Sequence, residues 1–285
     1  MANVTGAQIR KLMNWVLPKN VEGLAGLAYD ALQPRRHDNA ALEGRHAGER
    51  RCFVLGNGPS LAKMDLAPLA DEYTIGANSF YKHPQASTVG LRYLCVGDPH
   101  FMRDTPECVT WHQTLCQKMP RTVFLLHSDA ERLVRKNGLY QGREIYFVRT
   151  GLTTPTAVFA RIDFTRALNV GTTTGTLVAI PLAMYLGFSE IYLVGFDANW
   201  LDNYDGSYHF YDKHELFPEF DSVSADTRGF SYEDEVTMVL REYQSHRLLR
   251  QIAQSRGVKL VNATLGGRLD MHPRVEFRSL FAGPR

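Results

Sequence analysis

The chain has 285 residues, of which 44% are hydrophobic and 22% charged, enough apolar material for a large α/β core and too much for wholesale disorder. Its formal net charge of +2 gives no electrostatic ground for nucleic acid as the main partner. The four cysteines (Cys52, Cys95, Cys108 and Cys116) make no CxxC pair and read as reduced, mostly buried thiols of a cytoplasmic protein.

The opening stretch MANVTGAQIRKLMNWVLPKN has no long apolar run and no small-residue cleavage site, so no secretory signal is expected. Ile9, Leu12, Met13 and Val16 recur at helical spacing, and Leu24, Leu27 and Leu32 suggest a second helix. The polar, basic stretch QPRRHDNAALEGRHAGERR follows, so residues 1–50 read as a helical extension and linker. Arg10, Lys11, Lys19, Arg35 and Arg36 beside Trp15 leave room for peripheral contact with anionic lipid at the inner membrane face. Packing on the chain's own domain or on a second subunit of a homo-oligomer is the plainer reading of the same arm.

From Cys52 onward short apolar runs alternate with helical stretches. CFVLG, TIGANSF, LRYLCVGD, RTVFLLH and EIYFVR read as five strands, EIYLVGFD and VKLVNAT as two more. A buried helix is expected over 176–188 and a long amphipathic helix from Ser231 to about residue 256. The apolar run Leu177 to Phe188, about 12 residues, is too short to span a bilayer. Strands that are apolar on both faces, alternating with helices, predict an α/β unit over 51–285: a Rossmann-like, mainly parallel sheet with helices on both faces. Ligands of such sheets sit at the carboxyl ends of the strands. Here those ends carry Gly56-Asn57-Gly58, Asn78, Asp98 and Asp197.

Three motifs could carry chemistry. In Gly56-Asn57-Gly58-Pro59-Ser60 the glycines permit close approach of a ligand, free backbone N–H groups can take phosphate oxygens, and Ser60 adds a donor. A purely structural βα turn is the alternative. The run from Asn169 to Thr176, with Thr173, Thr174 and Gly175, opens a helix and suits an anion, or serves only as an N-cap. Asp197 begins a loop rich in aromatic and acidic residues, with Tyr208, His209 and His214. A tyrosine hydroxyl there can hold a phosphate and a histidine can move a proton near neutral pH, unless the loop is packing alone. No P-loop, GxSxG elbow or zinc motif is present. No metal site is expected, although Asp98 and Asp197 could share a divalent ion such as Mg²⁺ with a phosphate.

GNGPSL, then Asn in GANSFY, then TTTGTLVAIPLAMYLGFSEIYLVGFD, resembles the bacterial sialyltransferases of modified Rossmann-like fold. Their relatives grouped with the 6-hydroxymethylpterin diphosphokinases and with the flagellin-modifying motility-associated factors share the pattern. The resemblance covers roughly residues 52–265, in three patches. It implies a glycosyltransferase that takes a CMP-activated nonulosonic acid or related sugar and passes it, with inversion, to a glycan or protein acceptor, with no required cofactor. It further implies that Asn57, Gly58 and Asn78 hold the donor, that Thr174-Gly175 bind cytidine or phosphate, and that Tyr208 holds the departing phosphate. Two departures stand out. Asp98-Pro99 replaces an Asn-Pro of the family, and residues 222–235, just before the last long helix, hold no histidine where the family keeps its general base. His209 is the first choice for that base, with Asp197 beside it. A Mg²⁺-dependent pterin-type diphosphokinase and a non-catalytic nucleotide-binding protein are the alternatives.

Overall fold

The computed structural model describes residues 28, 31–151, 160–170, 174–202, 209–211 and 231–282. Among these, eight strands form one sheet: β1 (Arg51–Leu55), β2 (Tyr73–Ala77), β3 (Tyr93–Val96), β4 (Val123–His127), β5 (Ile145–Thr150), β6 (Ala167–Leu168), β7 (Glu190–Val194) and β8 (Lys259–Asn262). The order across the sheet is β6-β5-β4-β3-β2-β1-β7-β8, and every neighbouring pair is parallel. The chain therefore builds outward from β1 in one direction, then returns to place β7 on the other side of β1. That reversal leaves a crevice at the carboxyl ends of β1 and β7, the place where open α/β sheets bind ligands.

Strand side chains alternate between two cores, which is why the strands read as unbroken apolar runs. In β1, Cys52 and Val54 join one core while Phe53 and Leu55 join the other. The first core is roofed by α4 (Gly175–Leu186) and α5 (Tyr232–Ser255). The second is roofed by α2 (Pro106–Lys118) and α3 (Glu131–Lys136), after the single-turn α1 (Ala86–Val89). Helix α4 lies over β1, β2 and β3 and buries eleven of its 12 residues, so its uniformly apolar sequence needs no polar face. Each fully buried Leu, Ile or Val of this kind contributes about 1.5–3 kcal/mol. Three of the cysteines are buried as thiols and Cys116 is partly so, as their apolar surroundings predict.

The helix starts follow local chemistry. Thr174 Oγ1 accepts from Leu177 N at 3.3 Å, and Thr105 does the same for Cys108 N at the head of α2, with Pro106 in the first turn. Ser231 and Asp234 form a reciprocal capping box on α5. The sequence pass does not assign α2 and α3, although Thr105-Pro106-Glu107 is a start signal. The stretch after Pro59 forms two short 3₁₀ turns, Pro59–Lys63 and Ala67–Leu69, rather than an α-helix.

Most of the expected N-terminal extension lies outside the described residues. Residues 36–50, read from sequence as a polar linker, instead dock on the α/β unit. Leu42 is fully buried, and Asn39 Nδ2 donates to the carbonyls of Phe147 (2.9 Å) and Phe164 (2.8 Å). Arg36 pairs with Glu131 at 2.5 Å. Among the described residues no helix is long and apolar enough to cross a membrane.

The head of α4 touches β3 through two glycines. A Cβ on Gly97 would stand 2.5 Å from the backbone N of Gly175, with no flexible side chain to give way. Gly97→Ala is expected to destabilise the protein by about 1–3 kcal/mol through this overpacking. Urea unfolding checks it, and an unchanged midpoint contradicts the contact.

Candidate functional site

The carboxyl ends of β1, β2, β3 and β7 open on one cavity of about 390 Å³. Asn57 and Gly58 reach it from β1, Asn78 from β2, Asp98 and His100 from β3, and Asp197 and Trp200 from β7. Thr174 and Thr176 reach it from the first turn of α4, and His209 from the loop beyond β7. The predicted strand-end residues thus converge, and the turn after β1 and the head of α4 share one cavity. Gly56, Ser60 and Gly175 are not among its lining residues. Tyr208, Thr173 and His214, with the rest of 171–173 and 203–208, lie outside the described residues.

The turn after β1 has a different job from the one its glycines suggest. Gly56 N donates to Val194 O at 2.8 Å and Gly58 N donates to Gly195 O at 3.0 Å. These two amides are spent on β7 and are not available to phosphate, which corrects the sequence reading. A Cβ at Gly56 would strike the Gly195 carbonyl, and one at Gly58 would strike the Asp197 carboxylate. The glycines let β1 and β7 close on each other. Ser60 reads from sequence as a ligand donor and Asp197 as a catalytic group, yet the two are hydrogen-bonded to each other. Ser60 N donates to Asp197 Oδ1 at 3.1 Å and Ser60 Oγ donates to Oδ2 at 2.7 Å. Burial raises the Asp197 pKa, and the two bonds from Ser60 oppose that rise.

What the turn does present is an amide. Asn57 Nδ2 donates to Ala77 O at 3.0 Å, which fixes the side chain, and Asn57 Oδ1 is buried with no partner. A buried unpaired acceptor costs about 1–3 kcal/mol, a penalty that a ligand donor removes. Asn78 sits at φ 45°, its N donates to Cys95 O at 2.9 Å, and its Oδ1 accepts from Gly97 N at 3.2 Å. Its Nδ2 has no acceptor among the described residues. Ala198, next to Asp197, also has positive φ (52°). Three residues other than glycine have positive φ among those described, and two of them, Asn78 and Ala198, line this cavity. Strain concentrated in this way is a mark of functional sites.

The remaining wall is one stripe of α5 that the sequence reading missed: Glu235, Met238, Val239, Glu242 and His246. The positions 235, 239, 242, 246, 249 and 253 recur every three or four residues, and Val239, Leu249 and Ala253 among them are buried. Carboxylates at 235 and 242 in an apolar stripe are the signal that could have found this wall. His246 Nδ1 lies 3.1 Å from His272 Nε2, one ring donating and the other accepting. Burial holds His246 down at about 3 and His272 at about 4, so both are neutral at physiological pH. Burial acts the other way on Glu242 and pushes it up to about 8. Among the described lining residues there are four carboxyl groups and three imidazoles but no Lys or Arg. Asp98 Oδ1 accepts from His100 Nδ1 at 2.7 Å. No three His, Cys, Asp or Glu among the described residues are gathered closely enough to hold a metal ion.

No protein-family model and no curated protein matches the chain. Solved structures do. The sialyltransferase CstII from Campylobacter jejuni, in complex with the substrate analogue CMP-3FNeuAc, is similar at 16% identity over 75% of this chain and 81% of that one, with a TM-score of 0.42. The same enzyme with cytidine-5'-monophosphate gives 15% identity, 80% and 85% coverage, and a TM-score of 0.43. The MAf glycosyltransferase from Magnetospirillum magneticum AMB-1 gives 13% identity over 86% of this chain, but only 39% of that longer one, with a TM-score of 0.48.

Asp197→Ala should lower stability by about 1–3 kcal/mol, because it strands the buried Ser60 N–H. Asp197→Asn keeps an acceptor for that N–H and should cost less. Paired urea melts test this, and equal losses in the two variants would count against the Ser60 contact.

Proposed function

We propose that this chain is a glycosyltransferase that takes a sugar from a CMP-activated donor, of the nonulosonic acid class, and passes it to a hydroxyl of a glycan or protein acceptor. The observation that carries the reading is the cavity at the sheet's reversal point, where two asparagine amides with open valences face the first turn of a helix. Asn57 Oδ1 accepts and Asn78 Nδ2 donates, the pair of groups that a cytosine or a sugar hydroxyl array satisfies. The first turn of α4, reached through Thr174 and Thr176, favours negative charge on the adjacent phosphate. The resemblance of GNGPSL, Asn78 and the Thr174-Gly175 helix start to the sialyltransferases supports the same assignment.

In this reading the donor lies across the β1–β7 crevice with its nucleotide toward Asn57 and Asn78. Charge develops on the departing CMP phosphate as the anomeric carbon–oxygen bond breaks, and fixed dipoles that need no reorganisation stabilise it. Tyr208 is assigned to that phosphate by resemblance. The acceptor hydroxyl attacks from the opposite side, giving inversion. No step of this reading is assigned to Mg²⁺.

A nucleotide screen by thermal shift tests the reading, because a ligand at 100 times its Kd stabilises a fold by about 2.7 kcal/mol. CMP is expected to give the largest shift and to be released from a CMP-sugar in the presence of acceptor. Asn78→Ala is expected to weaken CMP about tenfold, or ~1.4 kcal/mol. A larger shift with ATP and Mg²⁺ would replace this reading with the diphosphokinase, and CMP binding without release from any CMP-sugar would leave a binding protein.

A further inference from the structure

The cavity wall on α5 carries two acids and an imidazole, Glu235, Glu242 and His246, beside Met238 and Val239. Such a wall suits hydroxyl groups, which donate to carboxylates and to ring nitrogens alike. His246 is 1% exposed, and its Nδ1 is fixed against His272. Its Nε2 is buried without a partner although the residue lines the cavity. One helical turn earlier, Glu242 lines the same cavity. Residues four apart on a helix lie side by side, so one small group can reach both.

We propose that Glu242 and His246 form the acceptor side of the site: Glu242 is the general base for the attacking hydroxyl, and His246 Nε2 holds that hydroxyl or its neighbour in place. The proposal rests on the glycosyltransferase reading and deepens it. The Glu242 carboxylate takes the proton of the acceptor O–H, and the oxygen forms its bond to the anomeric carbon. The bond from that carbon to the CMP phosphate breaks, and its electron pair leaves with CMP. Protonated Glu242 then returns its proton to solvent. His272 is a positioning residue, since it fixes the His246 ring.

Among the described residues, the titratable groups that line the cavity with Glu242 are Asp98 and His100 after β3, Asp197 after β7, and His209 in the following loop; Glu235 and His246 share its own helix. Among the described residues no cation's charge contributes to its shift, which burial drives to about 8. Glu242 keeps part of its surface on the open cavity, so a ligand that displaces water from the cavity raises it further. A base with a pKa near the working pH combines adequate ionisation with driving force. The sign is set by its role: only the ionised form accepts a proton, so kcat/KM rises with pH through about 8, and kcat, which reports the ligand complex, rises at a higher pH. The family-type alternative is His209, a histidine base on the facing loop.

The test uses the full chain and takes CMP affinity by calorimetry, turnover with a CMP-sugar, and the pH profile of kcat. Glu242→Gln is expected to keep CMP affinity within about threefold while kcat falls about 10²–10⁴-fold, the usual contribution of a general base, and loses its alkaline rise. Glu242→Asp should restore part of the activity with that rise retained. His246→Phe should raise the acceptor KM at least about tenfold with CMP affinity unchanged. Glu242→Gln with kcat within fivefold of wild type, or an alkaline rise that disappears in His209→Asn but survives in Glu242→Gln, overturns the proposal. Absence of CMP binding in the wild type instead overturns the functional reading beneath it. A direct check needs no turnover: the ¹³C-labelled Glu242 carboxyl, assigned by its loss in Glu242→Gln, should titrate near 8 and higher with CMP bound. Titration below about 6 in the CMP complex overturns the base assignment.

Discussion

The close approach of β1 to β7 governs this molecule's site. Three glycines make it possible: Gly56 and Gly58 after β1, and Gly195 after β7, where a side chain would strike Leu61. The amides of Gly56 and Gly58 donate to the carbonyls of β7, and Ser60 ties the turn to Asp197. With the turn clamped, Asn57 has one place to go. Its Nδ2 closes on Ala77 O, its Oδ1 is left buried and unpaired, and its backbone carbonyl takes Phe210 N from the loop. Positive φ at Asn78 and Ala198 costs about 1 kcal/mol or more each. The packed ends of β1, β2, β3 and β7 hold both residues there.

The cavity built on this clamp is lined by the sheet ends and by α5. Along the sheet ends are the amides of Asn57 and Asn78 and the hydroxyls of Thr174 and Thr176, together with Asp98, His100 and Asp197. On α5 are Glu235, Glu242 and His246, and burial has moved the charge states of Glu242 and His246. Burial drives the acid and the imidazole in opposite directions because it always disfavours the charged form. Glu242 therefore keeps its proton to about 8 while His246 stays neutral down to about 3. A cavity lined by four carboxyls would repel an anionic sugar nucleotide if all were ionised. A protonated Glu242 removes one of those charges.

The fold was largely legible because strands buried on both faces leave an unmistakable trace. CFVL, YLCV and EIYLV have no polar side for water, and only a sheet roofed twice can hold them. The rim of the site was legible for a related reason: Asn78, Asp98 and Asp197 stand at the carboxyl ends of such strands. The α5 wall was not. Glu235 and Glu242 look like ordinary surface acids of a long amphipathic helix until the helix is rotated onto the sheet. The role of the glycines was misread as well, because a glycine that admits a ligand and one that admits a neighbouring strand look identical in sequence.

The amino-acid sequence by itself determined the α/β class, the parallel sheet, and the loop ends from which a ligand site could be built, since hydrophobic periodicity and turn chemistry are local properties. Only the tertiary structure decided what those ends face. The β1–β7 contact joins residues some 140 apart in the chain, at Gly58 and Asp197. The His246–His272 pair and the α5 wall likewise exist only where the helix docks. Burial, which sets the charge states of Glu242 and His246, is a property of that docking and not of any stretch of sequence.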